Sequence, residues 1–411
     1  MFSSYRDIIK DVFSTKNILA IAITNSMWSL ANMGWRPFWS LYITNELGAS
    51  ITILGMLSMV QSSQSLLFQL PGGIIADRWG RRKIIIFGTS LRILPPLIYL
   101  MATNWVHVIP AIIINGMASI YMPAFNAIIA DSLPKTERGT GYGAYRMITS
   151  SPMVFSPFIG GVVMDALGYR EGVRIFLIIS LLVSIAITIV RWRVITETLV
   201  EESRPKEGIR SSFALTLGGL PRTIKVMMVV SILGSFGVRL VMQFIPIYAV
   251  EIIGLTNTQL GIVQTVGGLI STVLAMPGGM LSDHLGRKPM ILISRIIGPI
   301  TTYGITLAGN FQNYFIVRCT GRVGEGLGGG ALGFSGGPAW QALIADIIPS
   351  EKRGTVMGTI GTLTGIVGAP SSMLGGYLWN IYSPQLPFQI SMVLGLIGAV
   401  IFAIGVREPK R

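Results

Sequence analysis

The sequence has little cysteine, histidine or charge. Cys319 is the only cysteine, which excludes a disulfide within the chain, and one cysteine with two histidines cannot build a structural zinc cluster. Only 12% of the 411 residues are charged, whereas about a quarter of the residues of a soluble domain are charged. Hydrophobic residues make up 51% of the chain, and its mean hydropathy is +0.63. This composition excludes a water-soluble fold and indicates a membrane protein.

Long apolar stretches recur along the whole chain. A membrane-spanning helix needs about 20 apolar residues, and the chain has room for twelve such helices with short loops. The first stretch continues well beyond the length of a signal-peptide core and carries no cleavage pattern, so we expect it to be retained. The predicted helices, spans 1 to 12 in chain order, cover residues 17–45, 51–76, 84–103, 105–130, 142–167, 174–191, 223–250, 257–281, 290–309, 313–345, 355–382 and 388–406.

The basic excess, a formal net charge of +14, is explained by membrane topology. Most Lys and Arg residues lie in the termini and in the loops on one side of the predicted spans, and short basic loops stay in the cytoplasm. We therefore expect a multi-pass protein of the cell membrane with both termini in the cytoplasm and no nucleic-acid partner. The long polar stretch halfway along the chain indicates a solvated linker. The predicted domains are a bundle at 1–191, a cytoplasmic linker at 192–222 and a second bundle at 223–411.

The two halves of the chain repeat each other. The segment 73–83 after span 2, Gly-Ile-Ile-Ala-Asp-Arg-Trp-Gly-Arg-Arg-Lys, recurs 206 residues later at 279–288 as Gly-Met-Leu-Ser-Asp-His-Leu-Gly-Arg-Lys. The Asp…Arg-Gly pattern of residues 131–139, after span 4, recurs 215 residues later at 346–354. Parallel halves related by an axis along the membrane normal, with a solute site between them, are an arrangement used by secondary transporters.

These repeated motifs resemble those of the major facilitator superfamily, and the resemblance covers essentially the full chain. The second copy departs from the first by placing His284 where the first has Arg78. The resemblance implies an all-α membrane protein with twelve transmembrane helices in two pseudo-symmetric six-helix bundles.

The resemblance also implies that the repeated loops form inner-face ion pairs that hold one access state closed. We expect the basic cluster 81–83 to reach Asp131, and Arg287 with Lys288 to reach Asp346; anchoring of short basic loops is the alternative. The predicted gating residues are Gly73, Asp77, Arg78, Gly80, Arg81, Arg82, Asp131, Arg138, Gly279, Asp283, Gly286, Arg287, Asp346 and Arg353.

Glycine-rich segments are predicted to let neighbouring helices approach closely, at 72–73 and at 278–279. Span 5 carries a further pattern that resembles the antiporter motif of the family, with Pro152 and Ser156 at two of its glycine positions. This pattern is similar to that of the drug–proton antiporters, and a generic packing helix rich in glycine and proline is the alternative. The matching residues are Gly143, Pro157, Gly160 and Gly161.

Charged and polar residues inside the spans are the candidates for solute contact. An arginine at mid-bilayer costs about 2.5–3.5 kcal/mol on the insertion scale, so each should face protein or water. The arginines inside spans are Arg36, Arg92, Arg146, Arg239, Arg295, Arg318 and Arg322. Helices 1, 4, 7 and 10 line the central cavity in the family. By that resemblance, the predicted substrate-binding residues are Trp28, Asn32, Arg36, Asn115, Tyr121, Asn126, Arg239, Gln243, Arg322, Glu325 and Trp340.

Two of these assignments leave an alternative open. Glu325 is the only acidic residue deep inside a predicted span, and it is either a proton-coupling carboxylate or a neutralising partner of Arg322 within one helical turn. The stripe Asn25, Trp28, Asn32 and Trp35 on one face of span 1 either lines a cavity or packs inside the bundle. We expect Arg92, Arg146 and Arg295 to bond helix to helix.

The leading functional hypothesis is a secondary active transporter that moves a small organic solute by alternating access, with proton-coupled efflux of the multidrug or metabolite type. The excess of interior arginine favours an anionic or neutral, partly aromatic solute. The alternatives are a uniporter or symporter that imports an organic anion or sugar, and a non-transporting receptor or scaffold. The sequence contains no phosphate-binding loop of an ATP-driven pump and no nucleophile placed beside a histidine, so we expect no enzyme. We also expect no cofactor and no metal, and a monomer.

Overall fold

The chain is helical throughout the part that can be described. The computed structural model describes residues 15–132, 138–197, 220–328, 338–348, 350–406 and 408, and these residues contain no β-strand. Six of the described helices are long and apolar enough to cross a membrane: Arg81–Met101, Trp105–Asn126, Met153–Val194, Asn257–Leu285, Arg287–Leu307 and Leu386–Gly405.

Helices occupy all six predicted spans of the first half. Short 3-10 turns at Arg36–Phe38 and Ser119–Tyr121 divide spans 1 and 4 into two helices each. The helices run Lys16–Met33 and Trp39–Asn45 in span 1, Ile51–Trp79 in span 2, Arg81–Leu91 and Leu94–Met101 in span 3, Val108–Ala118 and Met122–Ser132 in span 4, and Arg138–Val194 through spans 5 and 6.

The second half has a similar series of helices. Span 7 is interrupted after Arg239 and ends in a π-helical turn at Tyr248–Ile252. The helices run Arg222–Arg239 and Ile245–Ile247 in span 7, Asn257–Leu285 in span 8, Arg287–Gly304 in span 9, Phe311–Gly328 and Pro338–Ile347 in span 10, Ser350–Ile381 in span 11, and Leu386–Gly405 in span 12.

The sequence predicted loops of several residues between spans 2 and 3, between spans 5 and 6, and between spans 8 and 9. This prediction is wrong, because a single glycine makes each turn. Residues 77–83 and 282–289 were expected as inner loops, but helices continue to Trp79 and Leu285 and resume directly after Gly80 and Gly286. Both glycines have a positive φ, 96° and 100°, and Gly168 between spans 5 and 6 has a φ of 77°. Only glycine adopts this conformation at little cost, so one residue suffices to reverse the chain.

The described chain divides into two compact units. Unit 1 comprises Met1–Gly48 and Gln64–Lys206, and unit 2 comprises Ala49–Ser63 and Glu207–Arg411. The predicted linker lies largely outside the described residues, which omit 198–219. The domain bounds 1–191, 192–222 and 223–411 therefore stay a prediction.

The first half of span 2, Ala49–Ser63, belongs to unit 2 and makes direct contacts with span 11. The Thr52 hydroxyl donates to the carbonyl oxygen of Gly376 at 3.2 Å and accepts from the Asn380 side-chain amide at 2.9 Å. A Cβ atom added at Gly55 would overlap the carbonyl oxygen of Ser372. Glycine thus lets the backbones of spans 2 and 11 touch.

Each unit has its own apolar core at equivalent spans. In unit 1, residues of spans 1, 3 and 4 pack together, and Ile21, Ile85 and Ile128 among them are fully buried. In unit 2, Met227, Val230 and Leu343 occupy the corresponding core with residues of span 12.

The repeat extends to the closest helix contacts of each unit. A Cβ atom at Gly160 would overlap the carbonyl oxygen of Gly34 and lie 3.0 Å from the Phe38 ring. A Cβ atom at Gly375, the equivalent of Gly160 in the repeat, would overlap the carbonyl oxygen of Leu240 and lie 3.0 Å from the ring of Phe244. In each unit the glycine therefore packs against the break in its first span.

We expect Gly375→Ala to destabilise the protein, because the added methyl group overlaps the Leu240 carbonyl oxygen. Overpacking of this kind costs about 1–3 kcal/mol. The midpoint of thermal unfolding of the purified protein measures this. Gly361→Ala on the same helix is the matched control, since a Cβ atom there meets nothing within 4 Å. The control is expected to keep or raise the midpoint, and equal midpoints for the two variants would contradict the packing argument.

Candidate functional site

Arginine and aromatic side chains alternate through the interior of unit 1. Two guanidinium groups lie near the Trp28 ring, with the Cζ atom of Arg36 5.7 Å and that of Arg92 5.0 Å from its centroid. Arg92 also lies 5.1 Å from the centroid of Tyr121. These distances are within the range of cation–π attraction, which favours an arginine that is withdrawn from water.

The series continues to Arg191, the last residue of predicted span 6. Arg191 is 2% exposed, and its Cζ atom lies 5.7 Å from the Tyr121 ring and 5.0 Å from that of Phe125. The helix of span 6 continues to Val194, so Arg191 is still a helical residue. We name Arg36, Trp28, Arg92, Tyr121, Arg191 and Phe125 the arginine–aromatic series.

Neutral oxygen atoms hold the guanidinium group of Arg191. Its Nε donates to the hydroxyl of Thr24 at 3.1 Å, Nη1 donates to the hydroxyl of Thr89 at 3.1 Å, and Nη2 donates to Oδ1 of Asn25 at 3.2 Å. Tyr121 also hydrogen-bonds to Arg191. Arg191 therefore joins spans 1, 3, 4 and 6 without losing its positive charge.

A cavity of about 10 Å³, which is room for about one water molecule, lies beside this series, lined by Trp28, Thr89, Arg92, Ser184, Ile187 and Arg191. Two of the lining side chains are cations, and none of the residues lining it in the described part of the chain is acidic. The Nε atom of Arg92 is buried and has no hydrogen-bond partner among the described residues.

The other predicted residues of unit 1 lie outside the series. The Asn32 side chain donates to the carbonyl oxygen of Trp28 at 3.0 Å, which is a local bond within span 1. Asn115 is half-buried and Asn126 is exposed on span 4. The stripe of span 1 faces the interior of unit 1, where Trp35 packs edge-on against Trp39 at 4.9 Å.

In unit 2 an ion pair links two turns of span 10. Nη1 of Arg322 donates to Oε2 of Glu325 at 2.7 Å, and Nη2 donates to Oε1 of Gln264 in span 8 at 3.2 Å. The side chains of Arg322 and Glu325 are 23% and 27% exposed, so both are partly accessible. Arg318 and Tyr314 precede them along span 10, and the Nε of Arg318 and the hydroxyl of Tyr314 are buried with no partner in the described part of the chain.

The predicted residues of span 7 contact span 11. Nε2 of Gln243 donates to the carbonyl oxygen of Ser372 at 3.5 Å, and the Ser372 hydroxyl donates to the carbonyl oxygen of Arg239 at 3.2 Å. A Cβ atom at Gly368 would lie 2.9 Å from Cδ of Arg239. These contacts bond one helix to another, and solute binding by Arg239 and Gln243 stays a prediction.

Trp340 lies in the apolar core of unit 2. It is 3% exposed, and the Cζ atom of Arg295 lies 4.6 Å from its ring centroid. Arg295 also lies 5.7 Å from the ring of Phe402, so it joins spans 9, 10 and 12 as expected for helix-to-helix bonding. This burial favours packing over solute contact for Trp340.

An ionic cluster joins the end of span 8, the start of span 9 and the end of span 10 in unit 2. Nε of Arg287 donates to Oδ2 of Asp346 at 2.9 Å, and Nη1 of Arg287 lies 3.0 Å from Oδ1 of Asp283. The contact expected between Arg287 and Asp346 is therefore present.

Two glutamates bind the first turns of spans 3 and 9, and neither was among the predicted site residues. Glu197 accepts hydrogen bonds from the backbone N–H groups of Arg81 and Arg82 at 3.2 and 3.0 Å. Glu408 accepts equivalent bonds from Arg287 and Lys288 at 2.6 and 3.4 Å. Each carboxylate caps the positive end of a helix, where anions are stabilising. The repeat carries the signal that was missed, because each glutamate follows the last helix of its half by three residues.

The turn glycines make room for these carboxylates. A Cβ atom at Gly80 would lie 2.7 Å from Oε2 of Glu197, and one at Gly286 would lie 2.9 Å from Oε2 of Glu408. In unit 1, Arg82 further donates from Nε to the carbonyl oxygen of Ile195 at 2.7 Å. The glycines of the repeated motif thus have a second role besides the turn.

The glycines that follow the middle of span 8 and the proline and glycine of span 5 differ in how closely they pack. A Cβ atom at Gly278 would lie 2.6 Å from the carbonyl oxygen of Gly326, as expected for close helix packing, whereas Gly279 faces open space and that part of the prediction is wrong. Pro157 and Gly161 are buried in span 5. The roles of Gly73, Asp77, Arg78, Asp131, Arg138, Gly143, Arg146 and Arg353 stay predictions.

Comparison with known proteins identifies the family. The family model described as Major Facilitator Superfamily matches residues 19–256 and 227–411. The chain belongs to the major facilitator superfamily. The predicted fold class is thereby confirmed, and the protein is a multi-pass membrane transporter of this family.

Its relatives differ in how much of the chain they match. An uncharacterized MFS-type transporter of Methanocaldococcus jannaschii is 23% identical over 394 residues, covering 94% of each chain. The quinolone resistance protein NorA of Staphylococcus aureus is 27% identical over 177 residues, covering 43% of this chain and 42% of NorA. A structure of a mutant of the nucleoside transporter NupG matches with a TM-score of 0.76 at 13% identity, covering 95% of this chain and 100% of the other. At this identity the structural match shows the fold alone.

We expect Arg191→Lys to destabilise the transporter, since a lysine keeps the charge but cannot reach Thr24, Thr89 and Asn25 together. Loss of two such bonds is expected to lower stability by about 2 kcal/mol. The thermal unfolding midpoint measures this effect. Arg193→Gln, an exposed position on the same helix, is the control and should change stability by less than about 0.5 kcal/mol. An Arg191→Lys variant as stable as the control would show that the hydrogen bonds contribute little.

Proposed function

We propose that this transporter exports a small organic solute in exchange for protons by alternating access. We further propose that it does so as a monomer in the cell membrane, with both termini in the cytoplasm. The observation that carries the proposal is the cluster of Glu325, Arg322 and Gln264, in which a partly accessible carboxylate is bonded to an interior arginine. The antiporter-like pattern of span 5 and the partial similarity to a quinolone resistance protein support the direction of transport.

Protonation of Glu325 is the coupling step in this proposal. The ionised carboxylate accepts the 2.7 Å hydrogen bond from Arg322. A protonated carboxyl group has no negative charge, so the ion pair is lost and Arg322 has only neutral oxygen acceptors, those of the carboxyl group and of Gln264. A proton taken up from one side of the membrane thus changes the bonds between spans 8 and 10. Such a change can bias the transporter toward one access state.

The ionic cluster at the inner end of unit 2 is proposed as a latch. Arg287 bonds Asp283 and Asp346 with its side chain and Glu408 with its backbone N–H group. These bonds hold the inner ends of spans 8, 9 and 10 and the end of span 12 together. We propose that the carboxylate bonds break when the inner side rearranges during the cycle.

Import by a symporter or uniporter is the second candidate. The Glu325–Arg322 pair does not set the direction of solute transport, because protons can move in the same direction as the solute or in the opposite direction. The fold is also shared with a protein named as a nucleoside transporter. The direction of solute flux relative to an imposed pH gradient separates the two candidates.

We expect Glu325→Gln to abolish proton coupling while solute exchange continues, because glutamine cannot gain or lose a proton. Proteoliposomes containing a trapped pH-sensitive dye are given a quinolone, and the proton movement that it drives is recorded. The variant is expected to lose at least about tenfold in this signal, a factor equal to about 1.4 kcal/mol. The control is Glu171→Gln, which removes an exposed carboxylate paired with Arg174. Wild-type proton movement in Glu325→Gln would contradict the coupling role.

We expect Asp346→Asn to slow transport several-fold with little change in folding. The Asp346 side chain is 44% exposed, and exposed ion pairs contribute only about 0–1 kcal/mol to stability. Initial rates of quinolone flux, normalised to the amount of protein in the membrane, measure the effect. Arg174→Gln breaks an exposed ion pair at the outer side and is the matched control. If both variants transport at the wild-type rate, Asp346 is an anchor and not part of a latch.

A further inference from the structure

The ion pair of Glu325 and Arg322 lies within a single helix. The two residues are three positions apart on span 10, and Nη1 of Arg322 donates to Oε2 of Glu325 at 2.7 Å. Both partners of such a pair move together with their helix. The pair alone therefore does not connect the charge of Glu325 with the position of another helix.

Gln264 of span 8 supplies this connection. Its Oε1 atom accepts a hydrogen bond from Nη2 of Arg322 at 3.2 Å. In the described part of the chain, no other side chain from a different helix hydrogen-bonds to Arg322 or Glu325. Because a guanidinium group is planar and rigid, a shift of Nη1 against Glu325 also shifts Nη2 against Gln264.

Gly267, one turn after Gln264, makes room for the Arg322 side chain. A Cβ atom there would lie 2.9 Å from Cγ and 3.3 Å from Nε of Arg322. Such a carbon–carbon distance is well inside the normal van der Waals separation. Glycine thus lets the apolar stem of Arg322 lie against span 8 while its guanidinium group bonds to both Gln264 and Glu325.

Span 10 packs closely against its neighbours on both sides of Glu325. A Cβ atom at Gly326 would lie 3.1 Å from the carbonyl oxygen of Ser271 in span 8, and one at Gly324 would lie 2.9 Å from Cγ2 of Ile297 in span 9. Loose packing therefore does not absorb a change in the bonds of Arg322, and such a change acts on the helix contact itself.

The charged groups around Glu325 come from its own helix. Arg322 bonds to it, and Arg318, two turns earlier, interacts with it electrostatically. The residues of spans 8 and 9 that contact this part of span 10 are neutral: Gln264, Gly267, Ser271, Leu274, Ile297 and Thr301. The ionisable residues of those two spans are Asp283, His284, Arg287, Lys288, Arg295 and Tyr303. Among these, Asp283 and Arg287 bond each other and Arg295 contacts Trp340.

We propose that Gln264 is a positioning residue through which protonation of Glu325 acts on span 8, with Gly267 providing the space for Arg322. While Glu325 is ionised, its charged oxygen is the stronger acceptor and holds Arg322 to span 10. When Glu325 takes up a proton, both acceptors are neutral, and the hold of span 10 on the guanidinium group weakens relative to that of span 8. This inference rests on the proposed function, in which Glu325 carries the proton.

The number of protons moved per quinolone molecule tests the role of Gln264. Both movements are recorded in the same proteoliposomes, the protons with a trapped pH-sensitive dye and the quinolone by its fluorescence. Gln264→Met keeps the length of the side chain but offers only a weak acceptor. It is expected to lower the ratio at least about threefold, a modest factor for one hydrogen bond to a charged group. Partial loss of folding would reduce both movements together and leave the ratio unchanged.

Gln312→Met is the matched control, since it makes the same change at an exposed position of span 10. The control is expected to keep the wild-type ratio. A wild-type ratio in Gln264→Met as well would overturn the proposal.

Gly267→Ala tests the same contact without changing a polar group, and it serves if Gln264→Met does not fold. The added methyl group overlaps Cγ of Arg322 and displaces its guanidinium group, so the ratio is expected to fall at least about twofold. Gly361→Ala is the control, because a Cβ atom there meets nothing within 4 Å. A wild-type ratio in folded Gly267→Ala would also overturn the proposal.

Glu325→Gln separates this inference from the proposed function. Loss of coupling in Glu325→Gln together with a wild-type ratio in Gln264→Met would refute the role of Gln264 and leave the coupling role of Glu325. A wild-type ratio in Glu325→Gln, or a wild-type protein that moves no protons, would refute the proposed function and this inference with it.

Discussion

Positive charge inside a membrane-spanning bundle is the constraint on which the rest of this structure depends. An arginine at mid-bilayer is costly unless it finds partners inside the protein. In unit 1, neutral oxygen atoms accept hydrogen bonds from Arg191, and aromatic rings contact its guanidinium group. Arg92 contacts the rings of Trp28 and Tyr121. The rings and hydroxyl groups stabilise these cations. An interior of this kind attracts anions. Unit 2 differs, because there the carboxylate of Glu325 pairs with Arg322.

The two halves have the same arrangement at the turns after spans 2 and 8. In each half a glycine with positive φ turns the chain, and a glutamate from beyond the last helix caps the helix that follows the turn. Close packing is repeated as well, since Gly160 and Gly375 touch the break in the first span of their units. Repetition of such unrelated contacts supports a duplicated origin of the halves and explains why the motif retains glycine at its turn.

The sequence predicted the helices, the repeat and the Arg287–Asp346 contact because each follows from periodicity or from two copies of one pattern. It did not predict Glu197 and Glu408, since single glutamates in polar segments look like solvated charges until tertiary contacts bring them to a helix end. The helix of span 6 continues to Val194, past its predicted end at Arg191; the predicted end is early because the hydropathy of span 6 falls before its helix ends. The burial of Trp340 depends on the packing of spans 9, 10 and 12, which no pattern within one helix reveals.

The most direct test of the account is the charge preference of transport itself. Uptake of radiolabelled benzenesulfonate, which stays ionised and does not cross lipid unaided, is compared with that of neutral benzenesulfonamide in proteoliposomes with and without a pH gradient, each corrected for protein-free vesicles. The account predicts gradient-dependent movement of the sulfonate and no protein-dependent movement of the sulfonamide. Equal transport of both compounds, or preference for the neutral one, would contradict the claim that interior positive charge selects the solute.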